Sequence, residues 1–242
     1  MDTVKIKAKG VKMIAHRGLS GIERENTYPA FVAAANRSYY GIETDVHKTA
    51  DGHFVIIHDD TTDRVSAGEW KLDVEKSKYD QLKAVILPDF DGSTNRQDIR
   101  IPLLKDYIKI CRKYNKMCIL ELKNAFEETD IKKMVEEIRK LEYLDHVIFI
   151  SFVLENCRML RRMLPENDIQ WLIGREATEE IIQTLIAQNL NLDIQYQQLT
   201  QPLVDRLHGQ GIKVNCWTCD NAEEAEQLAG MGVDFITSNI LE

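Results

Sequence analysis

Residues 117–152 read MCILELKNAFEETDIKKMVEEIRKLEYLDHVIFISF. Met117–Leu122 is an apolar run of strand length, and Val147–Phe152 is a second one, rich in β-branched and aromatic residues. Between them, Asp130–Tyr143 places Ile131, Met134, Val135 and Ile138 at helical spacing, with charges on the opposite face. Two strands apolar on both faces, joined by an amphipathic helix, form the crossover unit of a parallel sheet, because parallel neighbours need a long return connection.

Outward from this unit the pattern repeats. Strands are expected at Lys12–His16, Gly41–His47 with Phe54–Asp59, Gln170–Gly174, Leu192–Tyr196, Lys213–Thr218 and Phe235–Ser238. Helices are expected at Pro29–Asn36, Leu103–Tyr114, Leu154–Leu164, Thr178–Asn189, Gln201–His208 and Ala222–Gly230. Such alternation over 242 residues predicts an α/β fold, a (β/α)8 TIM barrel forming a single domain over residues 1–242. An open doubly wound sheet competes, but no glycine-rich dinucleotide fingerprint follows the first strand. The alternation breaks over about residues 61–100, where turn-like polar sequence surrounds one apolar patch near Tyr79–Leu87. This reads as an insertion after the second β unit, expected to form a wall or lid at the barrel mouth. The chain has almost no helix after its last strand, so either the barrel is short there or the leading Val4–Lys9 segment helps cover its base.

The balance of charge sets limits on partners. A net charge of −8 without a long Lys/Arg run offers no footprint for a duplex or an anionic membrane, which demotes nucleic acid without excluding it, and a local basic cluster inside a cleft could still bind one phosphate. No apolar stretch is long enough for stable membrane insertion, and the first residues lack a signal-peptide core. Five cysteines, an odd number placed mostly in apolar runs, fit free thiols in a reducing, cytoplasmic setting.

Ionisable residues gather at strand ends. The first strand ends in Ala15-His16-Arg17-Gly18. The second carries Glu43 and Asp45, whose i, i+2 spacing points both carboxylates to one face. They repel unless a proton or cation lies between them, and oxygen donors suit hard ions such as Mg²⁺ or Ca²⁺. Solvated charges on an edge strand would show the same spacing. Phe54–Ile57 ends in His58-Asp59, and Cys118–Leu120 ends in Glu121-Leu122-Lys123, so a barrel would bring all these groups to one mouth.

His16-Arg17-Gly18, Glu25-Asn26-Thr27, Glu43-Thr44-Asp45-Val46, Thr49-Ala50-Asp51-Gly52, His58-Asp59, Ile101-Pro102, Glu121-Leu122-Lys123, Ser151-Phe152 and Trp217-Thr218 resemble, in order and spacing, the glycerophosphodiester phosphodiesterases. The likeness covers most of the chain and implies a TIM barrel with an insertion after the His-Asp strand. It implies that Glu43, Asp45 and Glu121 hold one divalent cation, Ca²⁺ or Mg²⁺, and that His16 and His58 are the acid/base pair. Arg17 and Lys123 would offset charge on the phosphorane, and Trp217 would line the substrate pocket. The implied reaction releases glycerol 3-phosphate and an alcohol, with a glycerol hydroxyl attacking phosphorus and water opening the resulting cyclic phosphate. Alternatives are a lysophospholipase D, a phospholipase C-like enzyme on the same barrel, or a non-catalytic phosphate-binding relative.

Glu25 and Asn26 are expected to orient Arg17 or His16, Thr27 to cap the helix near Pro29, and Phe152 to wall the pocket or fill the barrel. Departures from the family pattern are Arg24 in place of a proline, Thr44 in an aliphatic place, and Thr237-Ser238-Asn239 where Thr-Asp and a proline are common. Cys216-Trp217-Thr218-Cys219 has the form of a redox motif, although a barrel context disfavours that reading. The DFDG stretch from Asp89 reads as a turn, and His47, His53, His146 and His208 as surface residues.

Overall fold

A computed structural model describes residues 2–242. Its strands are β1 (Lys12–Ala15), β2 (Gly41–Lys48), β3 (Phe54–Ile56), β4 (Met117–Leu122), β5 (Val147–Ser151), β6 (Ile169–Ile173), β7 (Asn191–Gln195), β8 (Val214–Trp217) and β9 (Phe235–Ser238). Eight of them run parallel in the order β1-β9-β8-β7-β6-β5-β4-β2, and pairing of β1 with β2 closes the sheet into a barrel. The open-sheet alternative is thereby removed. β3 is not a stave: it lies antiparallel on the end of β2, with His47 opposite Val55.

The helices are α1 (Tyr28–Ala35), α2 (Tyr79–Lys83), α3 (Leu104–Tyr114), α4 (Glu128–Lys140), α5 (Leu154–Met163), α6 (Glu179–Gln188), α7 (Gln201–His208) and α8 (Ala222–Met231). Their apolar faces meet the outer faces of the strands. In α4, Ile131, Met134, Val135 and Ile138 are all buried, as the spacing requires. The barrel interior is filled by Ile14, Ile119, Ile148, Ile150, Leu172 and Phe235. Burying both strand faces explains why these segments read as continuous apolar runs.

The 61–100 segment contributes Val65, Val74, Leu82, Val85, Leu87 and Ile99 to a separate apolar cluster seated on Val55 and Ile57. Its DFDG stretch is a tight turn, Gly92 N–H donating to Asp89 O at 2.9 Å. The leading segment pairs with the chain end, Val4 N–H donating to Ile240 O at 3.1 Å and Glu242 N–H to Val4 O at 2.9 Å. Ile6, Ala8 and Val11 then pack on the main core.

Gly18, directly after His16-Arg17, is a position where only glycine fits. Its φ is +76°, and a Cβ would stand 2.7 Å from both the carbonyl carbon and the Cβ of Ala30 in α1. The β1 loop is therefore pressed against the first helix. Gly18→Ala should lower stability by about 1–3 kcal/mol, read from urea unfolding; an unchanged midpoint would show that this loop has room to give.

Candidate active site

The centre of the site is set by register. Asp45 on β2 pairs directly with Glu121 on β4, and Glu43 shares the inward face of β2 with Asp45. These carboxylates are 1%, 7% and 3% exposed, respectively. One oxygen from each lies within 4.8 Å of the others. Two oxygens bound to one hard cation at about 2.3–2.6 Å stand at most about 5 Å apart, so the cluster has the span and donor type for one ion. Arg17 N–H donates to Glu43 Oε2 at 2.7 Å, and Asn26 Nδ2 donates to Asp45 Oδ2 at 2.8 Å. Thr44 Oγ1 donates to Asn26 Oδ1 at 2.7 Å, which gives the unusual threonine a purpose.

Cationic side chains close around this cluster. Lys123 Nζ lies 2.8 Å from Glu121 Oε1 and 3.4 Å from Asp45 Oδ1, and Arg17 Nε lies 3.5 Å from Asp45 Oδ2. Proximity here is not alignment, since buried Asp45 Oδ1 and Glu121 Oε1 receive no hydrogen bond. Such orphaned carboxylate oxygens are costly unless a cation takes them. Burial and the charge of Asp45 push Glu121 up to about 7, and burial with both neighbouring carboxylates pushes Glu43 well above its usual range. Burial opposes ionisation of Asp45 too, yet Lys123 and Arg17 hold it well below the usual carboxylate range. Without a cation, then, Asp45 carries the charge and its partners tend to keep protons.

Both histidines face the same pocket, with Nδ1 anchored. His16 Nδ1 lies 2.7 Å from Asn239 Oδ1, and His58 Nδ1 lies 2.7 Å from Asp59 Oδ1. A carboxylate offers only lone pairs, so His58 Nδ1 is the donor and its Nε2 is left for chemistry. Burial and the neighbouring Arg17 lower His16 to about 4; burial also lowers His58, against the raising influence of Asp45 and Asp59. Arg17, Lys123, Glu43, Glu121 and Trp217 line the pocket with them. Phe152, 44% exposed, stands edge-on to Trp217 at 5.7 Å between ring centroids and walls the mouth.

The family model described as glycerophosphoryl diester phosphodiesterase matches residues 16–241. The chain belongs to the glycerophosphoryl diester phosphodiesterase family. It is an enzyme of that class, a phosphoric diester hydrolase. A glycerophosphodiester phosphodiesterase of Caldanaerobacter subterraneus subsp. tengcongensis is 30% identical over 94% of this chain and 93% of its own. Among solved structures, a glycerophosphodiester phosphodiesterase from Parabacteroides distasonis is 26% identical with a TM-score of 0.77, over 99% of this chain and 94% of that one. An Oleispira antarctica phosphodiesterase, solved with the product sn-glycerol-3-phosphate, is 24% identical with a TM-score of 0.85, over 98% of this chain and 96% of that one.

In this phosphodiesterase all eight residues singled out from the sequence converge on one mouth. Several neighbours differ from expectation. The Asn26 side chain orients Asp45, while its backbone N–H donates to Arg17 O at 2.9 Å, and Glu25 accepts from the Arg17 guanidinium, also at 2.9 Å. Thr27 precedes α1, but its hydroxyl donates to Arg24 O and caps nothing. His47 is buried rather than superficial, because β3 folds over it; its ring nitrogens meet Glu75 Oε1 at 3.1 Å and His58 O at 3.3 Å. Cys216 and Cys219 are buried, and burial pushes the Cys219 thiol up to about 11, so no reactive thiolate forms there.

Among the described residues none from 61–100 lines the pocket. The insertion reaches the site through Arg64, which sequence reasoning missed. The Arg64 guanidinium grips Glu25 at 2.8 and 2.9 Å and Asp59 at 2.6 and 2.9 Å. Glu25 holds Arg17 and Asp59 holds His58, so one side chain links both flanks. Asp193, 2% exposed at the pocket floor with an unpartnered Oδ1, was also missed.

Hydrogen bonds from Arg64 bring Asp59 down to about 2; burial opposes ionisation of Glu25, but Arg64 and Arg17 outweigh it and bring that group to about 2 as well. Both folded values are depressed, so this stabilisation is complete above the unfolded values near 4 and disappears as pH falls toward 2. Arg64→Met should lower Tm by about 2–6 °C at pH 7, with the gap to wild type narrowing below pH 4. A gap that widens in acid would reverse the assignment.

Proposed function

We propose that the chain hydrolyses small glycerophosphodiesters to glycerol 3-phosphate and an alcohol, using one divalent cation, Ca²⁺ or Mg²⁺, and paired histidine proton transfer. The observation that carries this reading is the convergence of three buried carboxylates, two Nδ1-anchored histidines, an arginine and a lysine on one pocket. Glu43, Asp45 and Glu121 are the cation ligands. The ion supplies Lewis-acid polarisation of a phosphoryl oxygen and screens charge building there.

The protein's own groups do the rest. Arg17 and Lys123 sit beside the carboxylates, placed to face the phosphoryl oxygens as they gain charge. His16, neutral at pH 7, takes the proton of the attacking glycerol hydroxyl. His58, its Nδ1–H held by Asp59, gives a proton from Nε2 to the departing alkoxide. Proton roles then reverse as water opens the cyclic phosphate. Trp217 offers an aromatic wall to the substrate. Residues 61–100, tied in by Arg64, act with the barrel as one catalytic domain.

The test is turnover of glycerophosphocholine, its 2-deoxy analogue and a long-chain lysophospholipid under matched metal and pH. Glycerophosphocholine should be fastest, and the deoxy analogue slow for lack of the internal nucleophile. His16→Ala and His58→Ala should each lose about 10²–10⁴ in turnover with native circular dichroism. Fastest turnover of the lysophospholipid would move the substrate to the lysophospholipase D class, and near-normal turnover in both variants would demand another mechanism.

A further inference from the structure

His16 has a partner 223 positions away in the chain: Asn239, just past β9. The hydrogen bonds around Asn239 leave its side-chain amide one consistent orientation. Its Nδ2 donates to Asp220 Oδ2 at 2.6 Å, and its backbone N–H donates to Asp220 Oδ1 at 2.7 Å. Ser238 Oγ also donates to Asp220 Oδ1, at 2.8 Å. A carboxylate has only lone pairs to offer, so turning the amide over would set the Asn239 carbonyl oxygen against it. The amide oxygen must therefore face away from Asp220, where it accepts from Ser20 Oγ at 2.6 Å and meets His16 Nδ1 at 2.7 Å.

That orientation decides the histidine. An amide oxygen has no proton, so the one between it and His16 belongs to Nδ1, and the lone pair of the neutral ring is on Nε2. We propose that Asn239, itself oriented by Asp220, is a positioning residue that holds His16 in the Nδ1-protonated tautomer and so presents Nε2 as the proton acceptor. The proposal deepens the functional reading above and rests on His16 as the acceptor. It also gives Ser238 a place, its hydroxyl bonded to the carboxylate supplied by the loop after β8.

The pair is testable by exchange. Asn239→Leu removes the acceptor from His16. Asp220→Asn frees the amide of residue 239 to turn, and Asn239→Asp sets two carboxylates against each other. The double variant Asp220→Asn/Asn239→Asp reverses the donor between the two positions but keeps what His16 needs, a side-chain amide at 220 donating to a carboxylate at 239 that accepts from His16 Nδ1.

Nitrogen-15 NMR of histidine-labelled protein reads the tautomer without turnover, with the His16 signals assigned by their loss in His16→Ala. Wild type should show a protonated Nδ1 and an unprotonated Nε2 at neutral pH. Asn239→Leu should lose that preference and lose about 10–100-fold in kcat, with KM changing less than about twofold. The exchanged double variant should regain the tautomer and most of kcat, while both single polar variants remain impaired.

An unchanged tautomer in Asn239→Leu overturns the proposal, and so does a lost tautomer with unchanged kcat. A double variant no better than its parents overturns the role of the matched 220–239 pair. If wild type shows the tautomer but turns over no glycerophosphodiester, the functional reading fails while the Asn239–His16 assignment is upheld.

Discussion

Three carboxylates from two adjacent strands share less than 5 Å of buried space, and most of the surrounding structure answers that crowding. In water such a cluster would lose its repulsion to solvent, but inside a barrel the like charges interact at short range with little screening. The protein meets this by setting Lys123 and Arg17 against Asp45, by giving Glu43 the backbone N–H of Arg17, and by leaving two oxygens with no hydrogen bond. A group that accepts those oxygens and carries positive charge completes the arrangement.

The surrounding charges are themselves held. Arg17 is shared between Asp45 and Glu25, Glu25 between Arg17 and Arg64, and Asp59 between Arg64 and His58. Because each member is partnered twice, removing one loosens the geometry of the others, and single contacts understate what the network contributes. The insertion joins this network through one guanidinium. On the far side, the Asp220–Asn239 pair performs a comparable service for His16.

The barrel was legible because its helices are strongly amphipathic and its strands are buried on both faces, so α3 to α8 fall where periodicity places them. β3 was grouped with β2 as one unit, but it is shorter than Phe54–Asp59, and its antiparallel return along β2 could not be read from an apolar run alone. His47 was misjudged for the same reason, being buried only because β3 covers it. At the site, the i, i+2 spacing exposes Glu43 and Asp45, whereas the adjacency of Asp45 to Glu121 depends on strand register. Arg64, Asp193 and Asp220 gave no signal, and the departure at Thr237-Ser238-Asn239 did not reveal the contact of Asn239 with His16, because these partners are brought together by tertiary structure and not by spacing along the chain.

The claim on which the account turns is that this carboxylate cluster binds one cation. Calorimetric titration of Mg²⁺ and of Ca²⁺ into wild type and Asp45→Asn tests it most directly. The account predicts one ion per wild-type chain for at least one of the two metals, a Tm that rises on loading, and a loss of affinity of at least about tenfold in Asp45→Asn. Equal affinity in the two proteins, or no binding of either ion to wild type, would contradict it.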